Sequence, residues 1–162
     1  MIWLMKLSQG VEWGLHCTAM LALSPDGAVV RREVLAGHYG LPDAYLAKHL
    51  HALTRAELLV AVPGPKGGYR LARDPKKITV LDVVEAIDGA GKPFVCQEIR
   101  QQGSGALTPE QCKRTCGINV VMSRADAAWR NSLRSTTIAE LIGRTPAWIR
   151  DRNRGVLADS VR

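Results

Sequence analysis

The chain has 162 residues, 46% of them hydrophobic, and a net charge of +7. This length suits one domain with appendages and a buried core, and the positive charge favours a polyanionic partner such as nucleic acid. No apolar run approaches the roughly 18 residues of a membrane helix, and the opening Met1-Ile2-Trp3-Leu4 is too short for a secretory signal. We therefore expect a soluble, cytoplasmic protein that does not contact a membrane.

The first predicted elements are helices. Ser8 can cap a helix that runs to about Leu23, because a serine hydroxyl accepts hydrogen bonds from first-turn amides. The turn residues Ser24-Pro25-Asp26-Gly27 end that helix. A short helix is expected at Arg32–His38, and the turn Gly40-Leu41-Pro42 follows it.

The next segment is the most informative part of the chain. The helix predicted at Asp43–Arg55 is amphipathic, and the period changes at Leu58–Val62 to an apolar run short enough for a strand. Gly64–Gly68 then forms a turn and Tyr69–Leu71 a second strand. The apolar face of the helix consists of Leu46, Leu50 and Leu53. A basic helix followed by a basic hairpin predicts the recognition helix and wing of a DNA-binding domain, and an ordinary helix–hairpin unit is the alternative.

Further helices are predicted after the hairpin. Thr79 can cap a helix at Val80–Ile87, which a glycine- and proline-rich turn at Gly89–Pro93 breaks. The segment Phe94–Leu107 is loop-like, and Thr108-Pro109-Glu110-Gln111 restarts a helix with proline in its first turn.

The last third of the chain predicts a long helix at Gly117–Ser135, a short helix from Thr137 to Leu141, and a basic, frayed tail. The long helix carries an apolar stripe at helical spacing, formed by Ile118, Val121, Met122, Ala125, Ala128 and Trp129.

Two pairs of side chains suit metal binding. Cys112 and Cys116 are spaced to lie one turn apart on a single helix face, about 6 Å from each other. Glu12 and His16 have the same spacing in the first helix. Two thiolates, an imidazole and a carboxylate would complete a four-ligand site. The alternatives are a solvated helix face for Glu12 and His16, and a zinc corner or reversible disulfide for the thiols. Cys17 lies in an apolar segment and is expected to be a buried core residue.

From Met5 to about Leu141 the chain resembles the winged-helix iron–sulfur transcriptional regulators, of which IscR and NsrR are members. The matching segments are Met5–Ser8, Tyr45-Leu46, Gly64–Leu71 and Thr79–Ile87, with three downstream cysteines. The resemblance implies a mainly α fold with a small β wing, that is, a winged helix-turn-helix with a long C-terminal dimerisation helix. It also implies a homodimer that binds a pseudo-palindromic operator in double-stranded DNA and carries a [2Fe–2S] cluster.

Four regions follow from this resemblance. Residues 5–88 are the winged-helix DNA-binding domain, and 89–116 are the cluster-binding loop. Residues 117–143 contain the dimerisation helix and the short helix after it. Residues 144–162 are a basic flexible tail.

The cysteine spacing departs from that of the family. Members bring three cysteines close together, whereas fifteen residues separate Cys96 from Cys112, so Cys96 is the less favoured ligand. Some members take a carboxylate from the first helix of the other subunit, and the first helix here reads Glu-Trp-Gly-Leu-His as in the redox-sensing members such as RsrR. The resemblance thus implies Cys112 and Cys116 from one subunit, with Glu12 and His16 of the partner subunit.

The functional expectation is a homodimeric repressor that senses redox state through this cluster. Trp13 is the expected redox switch, with plain packing at the dimer seam as its alternative. The expected DNA contacts are Tyr45, Lys48 and His49 on the helix and Lys66 and Arg70 on the wing. The alternative functions are a nitric-oxide or iron–sulfur-status sensor of the same fold, and a zinc- or thiol-binding protein without redox control. No hydrolase triad or complete phosphate-binding loop is present, so we expect no enzyme.

Overall fold

A computed structural model describes residues 7–25 and 28–161. Met5 and Lys6 of the matching start, and Asp26 and Gly27 of the expected turn, lie outside these residues. The described chain divides into two compact units. The first contains the residues up to Ala90 and those from Leu133 onward, and the second is Gly91–Ser132. The described elements are α1 (Gln9–Leu21), α2 (Arg32–Tyr39), α3 (Asp43–Arg55), β1 (Leu59–Val62), β2 (Gly68–Leu71), α4 (Val80–Asp88), α5 (Gly117–Arg134), α6 (Ile138–Gly143) and α7 (Ala147–Val161).

The first unit is a winged helix built around one hydrophobic core. Helix α1 packs against α3, α4 and α6, and α2 packs against α3. The predicted apolar face of α3 is confirmed, because Leu46, Leu50 and Leu53 are all fully buried. Cys17 is also fully buried, and this burial raises the pKa of its thiol to about 12. Cys17 is therefore a core residue, as expected.

Two glycines let α1 approach its neighbours closely. A Cβ at Gly10 would overlap the ring of His49 on α3, and a Cβ at Gly14 would overlap Ile87 on α4. Both glycines are buried. Only glycine leaves room for these contacts, so the two glycines allow helix α1 to lie close to α3 and α4.

The hairpin forms with the predicted turn. Strands β1 and β2 are antiparallel, with Leu59 opposite Leu71 and Val62 opposite Gly68. Val30, just before α2, extends the hairpin by exchanging two backbone hydrogen bonds of 2.8 and 2.9 Å with Tyr69. A Cβ at Gly68 would overlap the Val30 carbonyl, so glycine at this position allows β2 to pair with the residue Val30 that precedes α2.

The helices before and after α5 both begin with a capping box, and the two caps are hydrogen-bonded neighbours. Thr79 caps α4 with Asp82, and Thr137 caps α6 with Glu140. The two caps lie side by side, because the Val80 amide donates to the Thr136 carbonyl and the Ile138 amide to the Ile78 carbonyl. The chain that leaves α5 is therefore attached by its backbone to the start of α4.

The expectation of a flexible tail over 144–162 is wrong. Helix α7 occupies most of this segment, Leu157 is fully buried, and Val156 packs against the core of the first unit. The arginines of the segment mask this apolar face in the sequence. Long-range packing, rather than intrinsic propensity, stabilises such a helix.

The second unit consists of a long irregular segment and α5. A short 3-10 helix at Ile99–Gln101 is the regular element of that segment. The long helix agrees with its predicted bounds to within one residue, and it contains no buried residue. Within the described residues, no helix is long and apolar enough to cross a membrane.

Candidate functional site

The outer face of α3 presents polar side chains beside the buried leucines. Tyr45 is 64% exposed, and Lys48 is also exposed. His49 is half-buried over Gly10. Burial lowers the pKa of His49, the Lys48 charge lowers it further, and Asp88 opposes both effects. Direct contact between His49 and DNA stays a prediction, because part of the ring is used in packing α3 against α1.

The start of α2 contributes basic residues that the sequence analysis did not single out. Arg32 donates from Nε to Asp43 at 2.7 Å, and this hydrogen bond is the main cause of the raised pKa of Arg32. The bond holds the N-terminal ends of α2 and α3 together. Arg31 is exposed at the N-cap of α2 and lines a groove between this helix and the wing. The signal in the sequence was the Arg31-Arg32 pair that opens the helix.

The wing places its lysine at the tip. The Gly67 amide donates to the Gly64 carbonyl at 2.9 Å, and Gly64 adopts a φ of +103° that side chains with a Cβ resist. Lys66 is exposed between them. Arg70 lies on β2 opposite Val60 and is half-buried. Tyr45, Lys48, Lys66 and Arg31 are thus four exposed basic or aromatic residues of the same winged-helix unit.

Helix α1 carries the predicted carboxylate–imidazole pair on its exposed side. Glu12 and His16 are both exposed, one helical turn apart, as their spacing predicted. The His16 ring lies 5.3 Å from the Tyr39 ring, and the Tyr39 hydroxyl donates to the His16 carbonyl. The imidazole is thus held against α2 at one edge.

Trp13, between these two residues in sequence, contacts the recognition helix. Its ring meets Tyr45 edge-on at 6.5 Å and His49 edge-on at 5.8 Å. Trp13 is half-buried. The structure therefore brings the expected redox-switch residue together with two of the expected DNA contacts, which sequence spacing alone did not show.

The two thiols do not share a helix, so that part of the prediction is wrong. Thr108 and Gln111 exchange two hydrogen bonds between side chain and backbone, and the Cys112 amide donates to the Thr108 carbonyl, but the expected helix stops after this single turn. The chain leaves the turn after Cys112, and Cys116 precedes α5, where its carbonyl accepts from Val120. Residues 108–115 present no buried side chain that would hold a longer helix against a core.

Cys112, Cys116 and Cys96 all lie in the second unit, and each is a free, half-buried thiol. Glu12 and His16 lie in the first unit. Among the described residues, no three side chains of the His, Cys, Asp and Glu types converge within this one chain.

Comparison with known proteins adds to this geometry. Residues 7–144 match the family model named Rrf2 and described as an iron-dependent transcriptional regulator. The chain is 30% identical over 142 residues to a protein of Aquifex aeolicus named as an HTH-type transcriptional regulator, covering 85% of this chain and 92% of that protein. It is also 30% identical over 138 residues to the HTH-type regulator BadM of Rhodopseudomonas palustris, covering 85% of this chain and 81% of BadM.

Two solved structures share the fold. CymR, the global cysteine regulator of B. subtilis, superimposes with a TM-score of 0.67 at 24% identity, covering 88% of this chain and all of that one. IscR of T. potens superimposes with a TM-score of 0.64 at 22% identity, covering 90% of this chain and 96% of the IscR chain. The mainly α fold with a two-stranded wing is thereby confirmed.

Proposed function

The chain belongs to the Rrf2 family of transcriptional regulators, and from this premise we propose that it is a homodimeric repressor whose DNA affinity follows the redox state of a [2Fe–2S] cluster. The family and the fold make it a DNA-binding regulator and not an enzyme. Because a regulator of this kind works beside the chromosome, we place the protein in the cytoplasm.

The DNA-binding part of the proposal depends on the polar face of α3. We place α3 in the major groove, with Tyr45, Lys48 and His49 toward the bases and the adjoining backbone. Lys66 and Arg70 of the wing would contact phosphates, which position the protein without reading sequence. The exposed Arg31 extends this set at the start of α2. The exposure of Tyr45 and Lys48 beside three buried leucines supports this orientation.

The homodimer is supported by the apolar face of α5. Ile118 and Val121 are 65% and 63% exposed, and the 18-residue helix buries none of its side chains. An amphipathic helix of this length is stabilised by covering its apolar face. A second copy of α5 would cover it, and the resulting two-fold symmetry suits a pseudo-palindromic operator.

The donor chemistry of the chain fits a [2Fe–2S] cluster. Cys112 and Cys116 offer two soft, free thiols that are only half-buried, and Glu12 and His16 are exposed on α1. We propose Cys112 and Cys116 as ligands together with Glu12 and His16 of the partner subunit. When bound, such a cluster supplies a one-electron redox change, and mixed ligation raises its potential relative to an all-cysteine site. The free thiol pair is the observation that carries this assignment.

Trp13 would connect the cluster ligands with the recognition helix. It lies between Glu12 and His16 in sequence and touches Tyr45 and His49 of α3. A change of charge at the two ligand positions would therefore alter a side chain that packs directly on the DNA-binding face.

The test is anaerobic purification followed by iron and sulfide analysis and a visible spectrum. We expect two irons and two sulfides per cluster, and different DNA affinities for the oxidised and reduced protein. A colourless protein that contains zinc and binds DNA equally under both conditions would refute the redox proposal. A coloured protein that responds to nitric oxide but not to one-electron reduction would favour the alternative sensor.

A further inference from the structure

Arg100 connects two segments of the second unit. Its guanidinium makes a bidentate ion pair with the Glu98 carboxylate, one arm of which measures 2.8 Å. The same guanidinium donates from Nη2 to the Arg114 carbonyl at 3.2 Å. Arg114 lies in the five-residue segment that begins with Cys112 and ends with Cys116. Arg100 therefore holds the backbone between the two free thiols.

The backbone around Arg100 is arranged to keep it there. The Leu107 amide donates to the Arg100 carbonyl at 2.8 Å, which closes the intervening loop on this residue. Glu98 has a φ of +49°, in the left-handed region that residues with a Cβ rarely adopt. Such a conformation persists only where surrounding contacts hold it, and here the bidentate pair with Arg100 is one of those contacts.

Arg100 is also within electrostatic reach of both thiols. The pKa of Arg100 is raised above its ordinary value, mainly by the Glu98 hydrogen bond, and the charges of Cys112 and Cys116 contribute to the rise. Geometrically, the guanidinium reaches the segment between the two thiols at the Arg114 carbonyl.

We propose that Arg100 is a positioning residue for the cluster: with Glu98 it clamps the Cys112–Cys116 segment through the Arg114 carbonyl and places one positive charge beside both thiolates. The proposal depends on the proposed function for the identity of the group that the thiols bind. A positive charge stabilises the more negative, reduced form of a cluster and so raises its reduction potential.

The first experiment tests the clamp in the cluster-free chain by hydrogen exchange and mass spectrometry. In R100Q we expect amides of residues 107–116 to exchange at least about tenfold faster, and E98Q should show the same change because it frees the guanidinium. R124Q is the matched control, since Arg124 is an exposed arginine of the same unit. Exchange in R100Q and E98Q equal to that of the wild type would overturn the clamp.

The second experiment measures the midpoint potential by redox titration of the cluster absorbance. In R100Q we expect the ratio of reduced to oxidised protein at a given potential to fall about tenfold, or about 59 mV for one electron. R100K keeps the positive charge, so its midpoint potential should stay near that of the wild type. Hydrogen exchange of residues 107–116 should still rise in R100K, because an ammonium makes no bidentate pair with Glu98. A potential in R100Q equal to that of R124Q would overturn the electrostatic role. A wild-type protein without iron and sulfide would refute the proposed function, whereas the exchange comparison would still decide on the clamp.

Discussion

Val121 is the residue at which the dimer proposal can be tested most sharply. It lies on the apolar stripe of α5 and is 63% exposed. Full burial of a valine side chain contributes about 1.5–2 kcal/mol, so covering the exposed part contributes about 1 kcal/mol in each subunit. Replacing it with serine removes this contribution and adds a poorly paired hydroxyl that costs about 1 kcal/mol more.

Because a two-fold interface contains the residue twice, V121S should weaken the dimer by about 4 kcal/mol, which corresponds to a rise of roughly 100- to 1000-fold in the dissociation constant. Sedimentation over a dilution series measures this constant. V120S is the matched control, because Val120 undergoes the same change one residue away on the other side of α5, where it is 43% exposed. A dissociation constant for V121S equal to that of V120S would show that the stripe is not the dimer interface.

Four further predictions concern DNA, cluster, switch and pH. K66A should weaken binding to all DNA sequences alike and flatten the salt dependence of log K by about one unit; anisotropy titrations with K92A as control check this, and an unchanged slope would exclude the wing tip. C112A and C116A should give colourless dimers, whereas C96A should keep the cluster absorbance; a colourless C96A beside a coloured C116A would reverse the ligand assignment. W13A should keep the visible spectrum but shrink the difference in DNA affinity between oxidised and reduced protein. A difference in W13A as large as that of the wild type would show that Trp13 serves only in packing. Burial lowers the pKa values of His38 and His49 below 6.5, so the free energy of unfolding should fall as the pH drops below about 6.5. Urea titrations of the double variant H38Q/H49Q should show a weaker fall with pH than those of the wild type. An identical fall in both proteins would show that these two histidines are not its cause.

Local patterns predicted most of the winged helix correctly. The bounds of α3 agree with the prediction, because its leucine spacing, its turn and the following apolar strand all involve neighbouring residues. The N-terminal caps of α4 and α6 were likewise predictable, since each needs only a threonine and the residues immediately after it. Ser8 caps α1 by position, but its hydroxyl donates to Asp88, a partner that no local rule indicates.

The thiol segment shows where local reasoning failed. A one-turn spacing places two cysteines on one face only if a helix forms, and the isolated segment around Cys112 lacks the packing that would sustain one. The structure uses a different arrangement, in which Arg100 and Glu98 hold the segment from a loop that the sequence marks only as irregular. Charge and composition do not reveal the contact between Arg100 and the Arg114 carbonyl, because these two residues belong to separate segments of an irregular region.

Residue chemistry and short-range periodicity by themselves indicated the helix–hairpin pattern of α3 and the wing, the long amphipathic helix, and the types of donor available to a metal. The class of fold followed from the resemblance to the winged-helix regulators, which rests on the matching segments of the sequence. Only the tertiary structure decided that Trp13 packs on Tyr45 and His49, that Gly14 accommodates Ile87, and that Leu157 makes α7 part of the core. These are contacts between segments distant in the chain. Their energies come from burial and close approach in the folded state, which no window of sequence contains.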